Sequence, residues 1–439
     1  MSTKSVRYIV LELLNKMDNG AYSNLALDSI LKTPELSVRD KGFITHIFYG
    51  IIERKLTLEY IISLYSSKPL HKLDKVVINI LKIGLYQLKY MDSVPDNAAV
   101  NETVNLTKQA KIGSASGFVN AVLRSFIRDN KNIKYPADKI QRLSVEYSCN
   151  PELTQKICTE YSYELAEELL KASVTPHKTY IRVNNLKITT ENLITEFSKL
   201  GINAEKVNFT DNCLIIDKLS DVGKCELFLK GYFHVQDLSS QLCCKALAPK
   251  GDELVLDICA APGGKTFTLA ELMNNKGHII AADLHEKRVK LIKKSAERLG
   301  VDIIETMQND AKKFNNTIPM ADKILCDVPC SGFGVIRSKP ELKYVELNTI
   351  KQLPEIQYEI LSTAARYLKK GGELVYSTCT INKDENDNVV DRFLKEHTNF
   401  EPVEILSEFN GVSNGYKATI FPHHFGCEGF FISKIRKVD

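Results

Sequence analysis

From Asp252 to residue 439 the chain alternates short apolar runs with amphipathic stretches, and no other feature narrows the possible fold as much. ELVLDIC leads through a Gly-rich loop into TFTLAELMNN, HIIAAD leads into EKRVKLIKKSAERLG, and IIETMQND is followed by DKILCDVP. A helix is expected over 349–369, stopped by Gly371-Gly372. ELVYSTC then runs into NDNVVDRFLKEH, and ATIFPH with GFFISKIRK closes as a hairpin. Repeated strand–helix alternation means a parallel, doubly wound, Rossmann-like α/β sheet, here with an antiparallel edge. Ligands of such sheets bind beyond the carboxyl ends of the strands, so residues at those ends are the first candidates for function.

The remainder is built differently. A chain of 439 residues is expected to hold two to three domains, at about 150 residues each. Residues 1–134 read as an all-α module: VRYIVLELLNKM, VRDKGFITHIFYGIIERKLTLEYIISLY, LDKVVINILKIGLYQLKYM, AAVNETVNLTKQA and FVNAVLRSFIRD all space apolar residues three and four apart. Asp18-Asn19-Gly20, Lys68-Pro69 and Val94-Pro95-Asp96 punctuate them as turns. Residues 140–240 open with linker helices and change period after Thr175-Pro176. TYIRVNN, ENLITEFSKLG, NAEKVNFT, CLIIDK and FHVQD then give the β-α-β-β order of a small α+β, RRM-like unit. Residues 241–439 form the α/β domain.

Residues 1–134 carry 19 Lys/Arg against 12 Asp/Glu, a net +7, while the rest carries 39 against 42, a net −3. A basic module suggests a polyanionic partner, and a solvated helical surface gives the same numbers, so charge leaves both open. With 44% hydrophobic and 26% charged residues, wholesale disorder is excluded. No apolar run reaches the ~18 residues of a membrane span, and the first twenty residues lack a signal-peptide cleavage pattern. Eleven cysteines, scattered and without a CxxC pair, argue against a secreted disulfide scaffold and for a reducing, cytoplasmic setting.

Three strand ends carry chemistry. The first is Asp257 through Thr266, DICAAPGGKT, whose small residues let backbone approach a ligand at the start of a helix. It is not a phosphate-binding P-loop, which needs Gly where Cys259 stands. A glycine-bearing first turn with an acidic residue closing the next strand describes a nucleoside site. Asp283, 19 residues after Gly264, is placed to take ribose hydroxyls. Asp310 closes the third strand, where an aspartate serves equally as a turn former. The second site is DVPCSGFG, from Asp327 to Gly334, and the third is Ser377-Thr378-Cys379-Thr380. Strands one, four and five are expected to be neighbours, so Gly263, Asp327, Cys330 and Cys379 should converge. A lone cysteine is usually a small buried hydrophobe, but two of them at adjacent strand ends beside an aspartate fit that account poorly. Neither has a nearby His, and His423-His424 with Cys427 form only a partial ligand set, so no metal is expected.

With DICAAPGGKT, DVPCSGFG and STCT in this order, the chain resembles the RNA cytosine-5 methyltransferases that depend on S-adenosylmethionine (SAM). NAAVNETVNLTK and GFVNAVLR resemble a NusB-type RNA-binding domain, and FHVQDLSSQL and GVIRSKPELKY also look like the RsmB type of 16S ribosomal RNA methyltransferase. The likeness covers nearly the whole chain. One departure is Tyr147-Ser148-Cys149-Asn150-Pro151, where the resemblance leads one to expect a Ser-His-Pro-like signature.

The resemblance implies that Cys379 adds to C6 of cytosine, that Cys330 assists product release, and that Asp327 hydrogen-bonds the N3/N4 edge of the base. It also implies a SAM site in which Cys259, Ala260, Ala261, Pro262, Gly263, Gly264 and Lys265 surround the methionine part. There Asp283 takes the ribose, Asp310 the adenine end, and Asp327 lines the methyl-transfer pocket. An ordinary thiol is only a few per cent thiolate at neutral pH, so the site should lower it, with Lys265 the candidate cation. The implied partner is 16S ribosomal RNA, at cytosine 967, acted on by a monomer without a membrane. A transfer-RNA cytosine-5 methyltransferase shares this chemistry and is disfavoured by the NusB-like front end. An antitermination-like binding factor has no need of the two cysteines.

Overall fold

The computed structural model describes the whole chain except residues 1–4, 20–22, 34–35, 177, 218, 220 and 410, together with the side chains of 24–25. Gly20 of the expected first turn and Lys218 at the end of CLIIDK therefore lie outside the described residues. Two compact units result: Met1–Thr159 with Lys343–Val345, and Glu160–Leu342 with Glu346–Asp439.

The first unit is helical: α1 (Val6–Asp18), α2 (Ser23–Leu31), α3 (Val38–Glu53), α4 (Lys55–Tyr65), α5 (Lys75–Tyr90), α6 (Asp96–Gln109), α7 (Ser116–Arg128), α8 (Lys139–Tyr147) and α9 (Pro151–Glu160). Side-chain caps start several of them, as when Asp74 accepts the Val76 N–H at 2.7 Å ahead of α5. The long run over 38–65 is broken into α3 and α4 at Arg54, which leaves helical geometry at φ −110°, ψ 19°. Helix α5 is buried from Val77 to Leu88 at nearly every position, and its buried polar residues are paired, Asn79 with Asp18, Lys82 with Glu59 and Gln87 with Arg7. α1, α3, α4, α6 and α7 pack around it through Leu13, Phe48, Ile61, Val100 and Leu123. In place of a Ser-His-Pro-like signature, Ser148 takes a left-handed conformation and its Oγ accepts the Leu56 N–H at 2.8 Å.

The second unit begins with α10 (Tyr163–Ala172) and a small antiparallel sheet. Its elements are β1 (Thr179–Val183), α11 (Thr190–Lys199), β2 (Ala204–Lys206), β3 (Cys213–Ile216), α12 (Glu226–Leu229) and β4 (Phe233–Val235), with strand order β2-β3-β1-β4. Helix α12 was not expected, because a single turn is too short to establish a 3.6-residue period.

The α/β part follows as α13 (Leu238–Leu247), β5 (Leu254–Asp257), α14 (Gly264–Leu272), β6 (His278–Asp283), α15 (Glu286–Leu299), β7 (Ile304–Gln308), β8 (Ala321–Asp327), α16 (Leu353–Arg366), β9 (Leu368–Thr378), α17 (Asp387–Glu396), β10 (Phe400–Pro402), β11 (Ser413–Asn414), β12 (Lys417–Ile420), α18 (Pro422–Phe425) and β13 (Phe430–Lys437). The sheet order is β11-β12-β13-β9-β8-β5-β6-β7, with β10 beside β13. β7-β6-β5-β8-β9 are parallel, and β13 runs antiparallel to β9. Alternate strand residues serve opposite faces: Val255, Ala281, Leu325 and Val375 join α13, α14 and α15, while Leu256, Ile280, Ile324 and Leu374 join α16 and α17. The chain order reverses direction between β5 and β8, which makes their carboxyl ends the switch point. The glycines at 371–372 do not end a helix. They fall inside β9, where the register slips between Ala321↔Leu368 and Lys323↔Glu373, so α16 stops earlier, at Arg366. Among the described residues, no helix is long and apolar enough to cross a membrane.

Arg182 on β1 is 2% exposed, and its Nε donates to Glu271 Oε2 on α14 at 2.7 Å, with Nη1 reaching the Asp211 carbonyl at 3.3 Å. This buried pair ties the small sheet to the helix that carries the Gly-rich loop. Arg182→Met should lower stability by ~2–4 kcal/mol in urea unfolding at neutral pH, because Glu271, which burial raises to about 7 even beside Arg182, must then take up a proton and loses its hydrogen-bond partner. In a Glu271→Leu background the same substitution should cost much less, and equal losses in both backgrounds would refute the coupling.

Candidate active site

The carboxyl ends of β5, β6, β8 and β9 gather the residues singled out from the sequence. Asp257 ends β5, nearly fully buried; burial raises its carboxyl to about 7, against the Thr266 hydroxyl that donates to it at 2.7 Å. The chain then turns through Cys259, Ala260, Ala261, Pro262 and Gly263 into α14, which Gly264 and Lys265 open. Gly263 has φ +105°, and a Cβ there would lie 2.4 Å from the Phe267 ring, so this turn needs glycine. The Ala260 N–H donates to the Ala282 carbonyl at 2.8 Å, holding the loop against β6.

Asp283 closes β6, and its two carboxylate oxygens accept the Ala261 N–H at 3.2 Å and the His285 N–H at 3.1 Å. Arg288 stands 3.3 Å from Asp283 and also donates to the Ala261 carbonyl at 2.5 Å. Sequence reasoning missed Arg288; its place in the first turn of α15, behind Asp283, was the available signal. Asp310 does not close a strand. β7 ends at Gln308, and Asp310 sits in the following turn, accepting the Lys312 N–H at 3.2 Å because the polar Asn309-Asp310 pair favours a turn. It still lines a cavity of about 440 Å³ with Leu284, Asn309 and Phe314.

Asp327 ends β8 and is clamped from both sides. Lys265 Nζ reaches Oδ2 at 2.7 Å, and Ser377 Oγ donates to Oδ1 at 2.7 Å. Ser377 is the register partner of Asp327 across β8 and β9, so the clamp is written into the strand alignment. Burial opposes charge on Lys265, and Asp327 overrides it, holding the ammonium protonated well above its usual range. Lys265 also lies over the Phe430 ring, 5.0 Å from its centroid.

Cys330 follows β8 and Cys379 follows β9, and their sulfurs are 3.3 Å apart. The hydrogen bond from Cys330 lowers the Cys379 thiol; burial and Asp327 oppose this, and Lys265 and Lys339 support it. Cys330 is pushed up by the same bond, by burial, by the neighbouring Cys379 and by Glu385, with the Gly332 N–H opposing, so the two sulfurs are coupled through one contact. Two backbone crossings hold them. Gly334 N–H donates to the Cys379 carbonyl at 3.0 Å, and Gly429 N–H to the Gly334 carbonyl at 2.8 Å; a Cβ on Gly334 would fall 2.0 Å from the Gly429 oxygen. Gly263, Lys265, Asp327, Cys330 and Cys379 thus share one end of the sheet. His423, His424 and Cys427 do not form a set: His423 faces Glu168 at 3.7 Å, His424 accepts the Phe421 N–H, and Cys427 donates to the Glu428 carbonyl.

The 16S rRNA methyltransferase RsmB/F family matches residues 244–436, the NusB family residues 4–128, and the RsmF/B-like ferredoxin-like domain residues 153–223. The probable ribosomal RNA small subunit methyltransferase B of Bacillus subtilis (strain 168) is 40% identical over 447 residues, covering 100% of each chain. The chain belongs to the ribosomal RNA small subunit methyltransferase B family. Among solved structures, that of PH0851 is similar over 99% of each chain, with 26% identity and a TM-score of 0.83. NSun6 from Pyrococcus horikoshii with SFG matches 66% of this chain and 98% of its own, at 27% identity and a TM-score of 0.61. The methyltransferase region of the family spans β5 to β13, so every strand-end residue described above lies within it.

In this methyltransferase the charge on Lys265 should be measurable at Cys379. Lys265→Met removes a cation that favours the thiolate and leaves Asp327 unbalanced beside it, so both effects raise the thiol. The pH midpoint for iodoacetamide labelling of Cys379, followed by peptide mass, should rise by about one unit or more. An unchanged midpoint would show that Lys265 has no hold on the thiol.

Proposed function

We propose that this enzyme transfers a methyl group from SAM to C5 of a cytosine in 16S ribosomal RNA, through a bond between Cys379 and C6 of the base. The observation that carries this reading is the 3.3 Å thiol pair, with Cys379 lowered and Asp327 and Lys265 beside it. A binding protein gains nothing from a lowered thiol at a strand end. The reading extends to cytosine 967, the position the family resemblance gives.

The residues present fit SAM. The Gly263 turn leaves backbone open to a ligand at the start of α14, Asp283 offers acceptor oxygens at the end of β6, and the cavity beside Asp310 has both apolar and amide walls. On this reading residues 259–265 hold the methionine part, Asp283 the ribose and Asp310 the adenine side, and bound SAM supplies an electrophilic methyl group. Asp283→Ala should weaken SAM binding by on the order of tenfold or more in calorimetry, since a double acceptor for the ribose hydroxyls is lost. Unchanged affinity would remove Asp283 from the site.

C5 of cytosine is a poor nucleophile until a thiolate adds to C6 and makes the ring enamine-like. Cys379, lowered by its neighbours, is the group that adds. Asp327 has acceptor oxygens only and is suited to the N4 amino group of cytosine; uracil presents a carbonyl there, which a carboxylate repels. Once C5 is methylated, its proton passes to a water molecule, the C5–H electron pair restores the C5=C6 bond, and Cys379 leaves as thiolate, with Cys330, in contact with that sulfur, assisting the release. The base must leave its stack to reach Cys379, at a few kcal/mol, least in a loop or bulge. Phosphate contacts by the +7 front module and the small α+β sheet support that step.

The two cysteines have opposite places in the cycle, and a denaturing gel with labelled RNA separates them. Cys379→Ala should form no adduct and lose methylation by several orders of magnitude. Cys330→Ala should accumulate a covalent protein–RNA band in the presence of SAM. A band from Cys379→Ala alone would reverse the roles, and methylation retained in both would end the covalent reading. Bisulfite sequencing of 16S ribosomal RNA from cells with and without the protein should locate the modified cytosine.

A further inference from the structure

The 3.3 Å contact between the Cys330 and Cys379 sulfurs has a chemical capacity that methyl transfer does not draw on. Both side chains keep partial exposure, whereas Cys243 and Cys244 of α13 and Cys326 of β8 are sealed in the core. The segments that carry the pair are joined at three points. The Val328 N–H donates to the Ser377 carbonyl at 3.1 Å, the Ser331 and Thr380 hydroxyls meet at 2.8 Å, and the Gly334 N–H donates to the Cys379 carbonyl at 3.0 Å. The Cys330 loop is also held from behind. Glu385 accepts the Ser331 N–H and the Gln357 amide donates to the Pro329 carbonyl, each at 2.9 Å.

Residues on both sides of each cysteine are thus fixed to one another, and the sulfurs meet without movement of either strand end. Two thiols held this way are set for a disulfide, for which the sulfurs need only close to ~2.05 Å. The fold has already met the entropy of bringing the ends of the 49-residue separation together. In the covalent cycle the base occupies the Cys379 sulfur; with no RNA bound, the two sulfurs face each other.

We propose that this pair is a reversible redox switch: a hydroperoxide converts Cys330 and Cys379 to a disulfide that stops methylation, and a dithiol restores both thiols. A cysteine thiolate attacks one oxygen of hydrogen peroxide, the O–O bond breaks, and the departing hydroxide takes up a proton as water, leaving a sulfenic acid. The second cysteine gives up its proton and attacks that sulfur; the S–O bond breaks, and hydroxide leaves with the proton as a second water. Two thiols have then lost two electrons, which the peroxide has gained. Either sulfur can start, because both orders end in the same bond. A sulfenic acid with no thiol in reach goes on to sulfinic acid, which dithiols do not reverse, and here the neighbouring thiol intercepts it. A dithiol reverses the disulfide by two exchange steps and ends as its own cyclic disulfide. The effect on methylation rests on the covalent reading above; the disulfide is a property of the folded protein alone.

The test treats the whole chain with hydrogen peroxide in the absence of RNA, alkylates it, and maps its peptides by mass without reduction. The peptides carrying Cys330 and Cys379 should be joined with the loss of two hydrogens, in a protein that stays monomeric on a non-reducing gel. Methylation should fall by about a hundredfold or more, as for loss of a covalent nucleophile, and return with dithiothreitol. Cys330→Ala leaves the sulfenic acid without a partner, so Cys379 should be found as sulfinic acid that dithiothreitol does not restore. Wild-type protein without the joined peptide, or with Cys379 as sulfinic acid, would overturn the proposal, and so would a disulfide that dithiothreitol cannot reduce. If Cys330→Ala does not fold, the wild-type products decide. Failure of the covalent reading shows elsewhere: the peptides still join, but the reduced protein forms no adduct with RNA.

Discussion

The Asp327 carboxylate, held between Lys265 and Ser377, is the contact on which the rest of the site depends. It draws on three separate elements, since Lys265 comes from the first turn of α14, Asp327 from β8 and Ser377 from β9. The Lys265 and Asp327 side chains are 15% and 26% exposed, so each charge gives up much of its hydration. A 2.7 Å pair with a hydroxyl on the remaining oxygen offsets that cost, and either partner alone would be a liability. The alignment of β8 and β9 is therefore constrained by charge as well as by packing. A slip of one residue would carry Ser377 to the other face and leave Asp327 half satisfied.

Most of the architecture could be read in the sequence because its periods are strong. Strand–helix alternation gave the parallel sheet and the neighbouring positions of β5, β8 and β9, and short strands with one amphipathic helix gave the small α+β unit. The failures occurred where local signals were ambiguous. Gly371-Gly372 reads equally as a helix stop or a bulge, and only the pairing of β8 with β9 decides between them. Helix α12 is a single turn, and the break at Arg54 has no Gly or Pro to mark it.

Within the site, the strand-end residues were legible because each motif places a reactive side chain directly after an apolar run. Their partners were not. Ser377 is defined by the strand it meets across the sheet, and Arg288 by its bond to the Ala261 carbonyl, and those contacts are long-range. Asp310 illustrates the opposite error, since the carboxylate at a supposed strand end proved to be a turn residue that also borders a cavity.

The two thiols show why partners matter more than residue types here. Two cysteines 3.3 Å apart are chemically identical until their surroundings differ, and both are removed from water, which opposes ionisation of either. Like charges that close cannot both form, so the pair keeps at least one proton, and ionising one sulfur holds the other protonated. Lys265 and Lys339 favour ionisation of Cys379 and Asp327 opposes it, and these groups are attached to different elements. A charge pattern fixed in the folded backbone does not have to reorganise when a substrate arrives. On the proposed reading, the energetic demand therefore falls on the RNA, whose target base must be drawn out of its stack to a site already set for it.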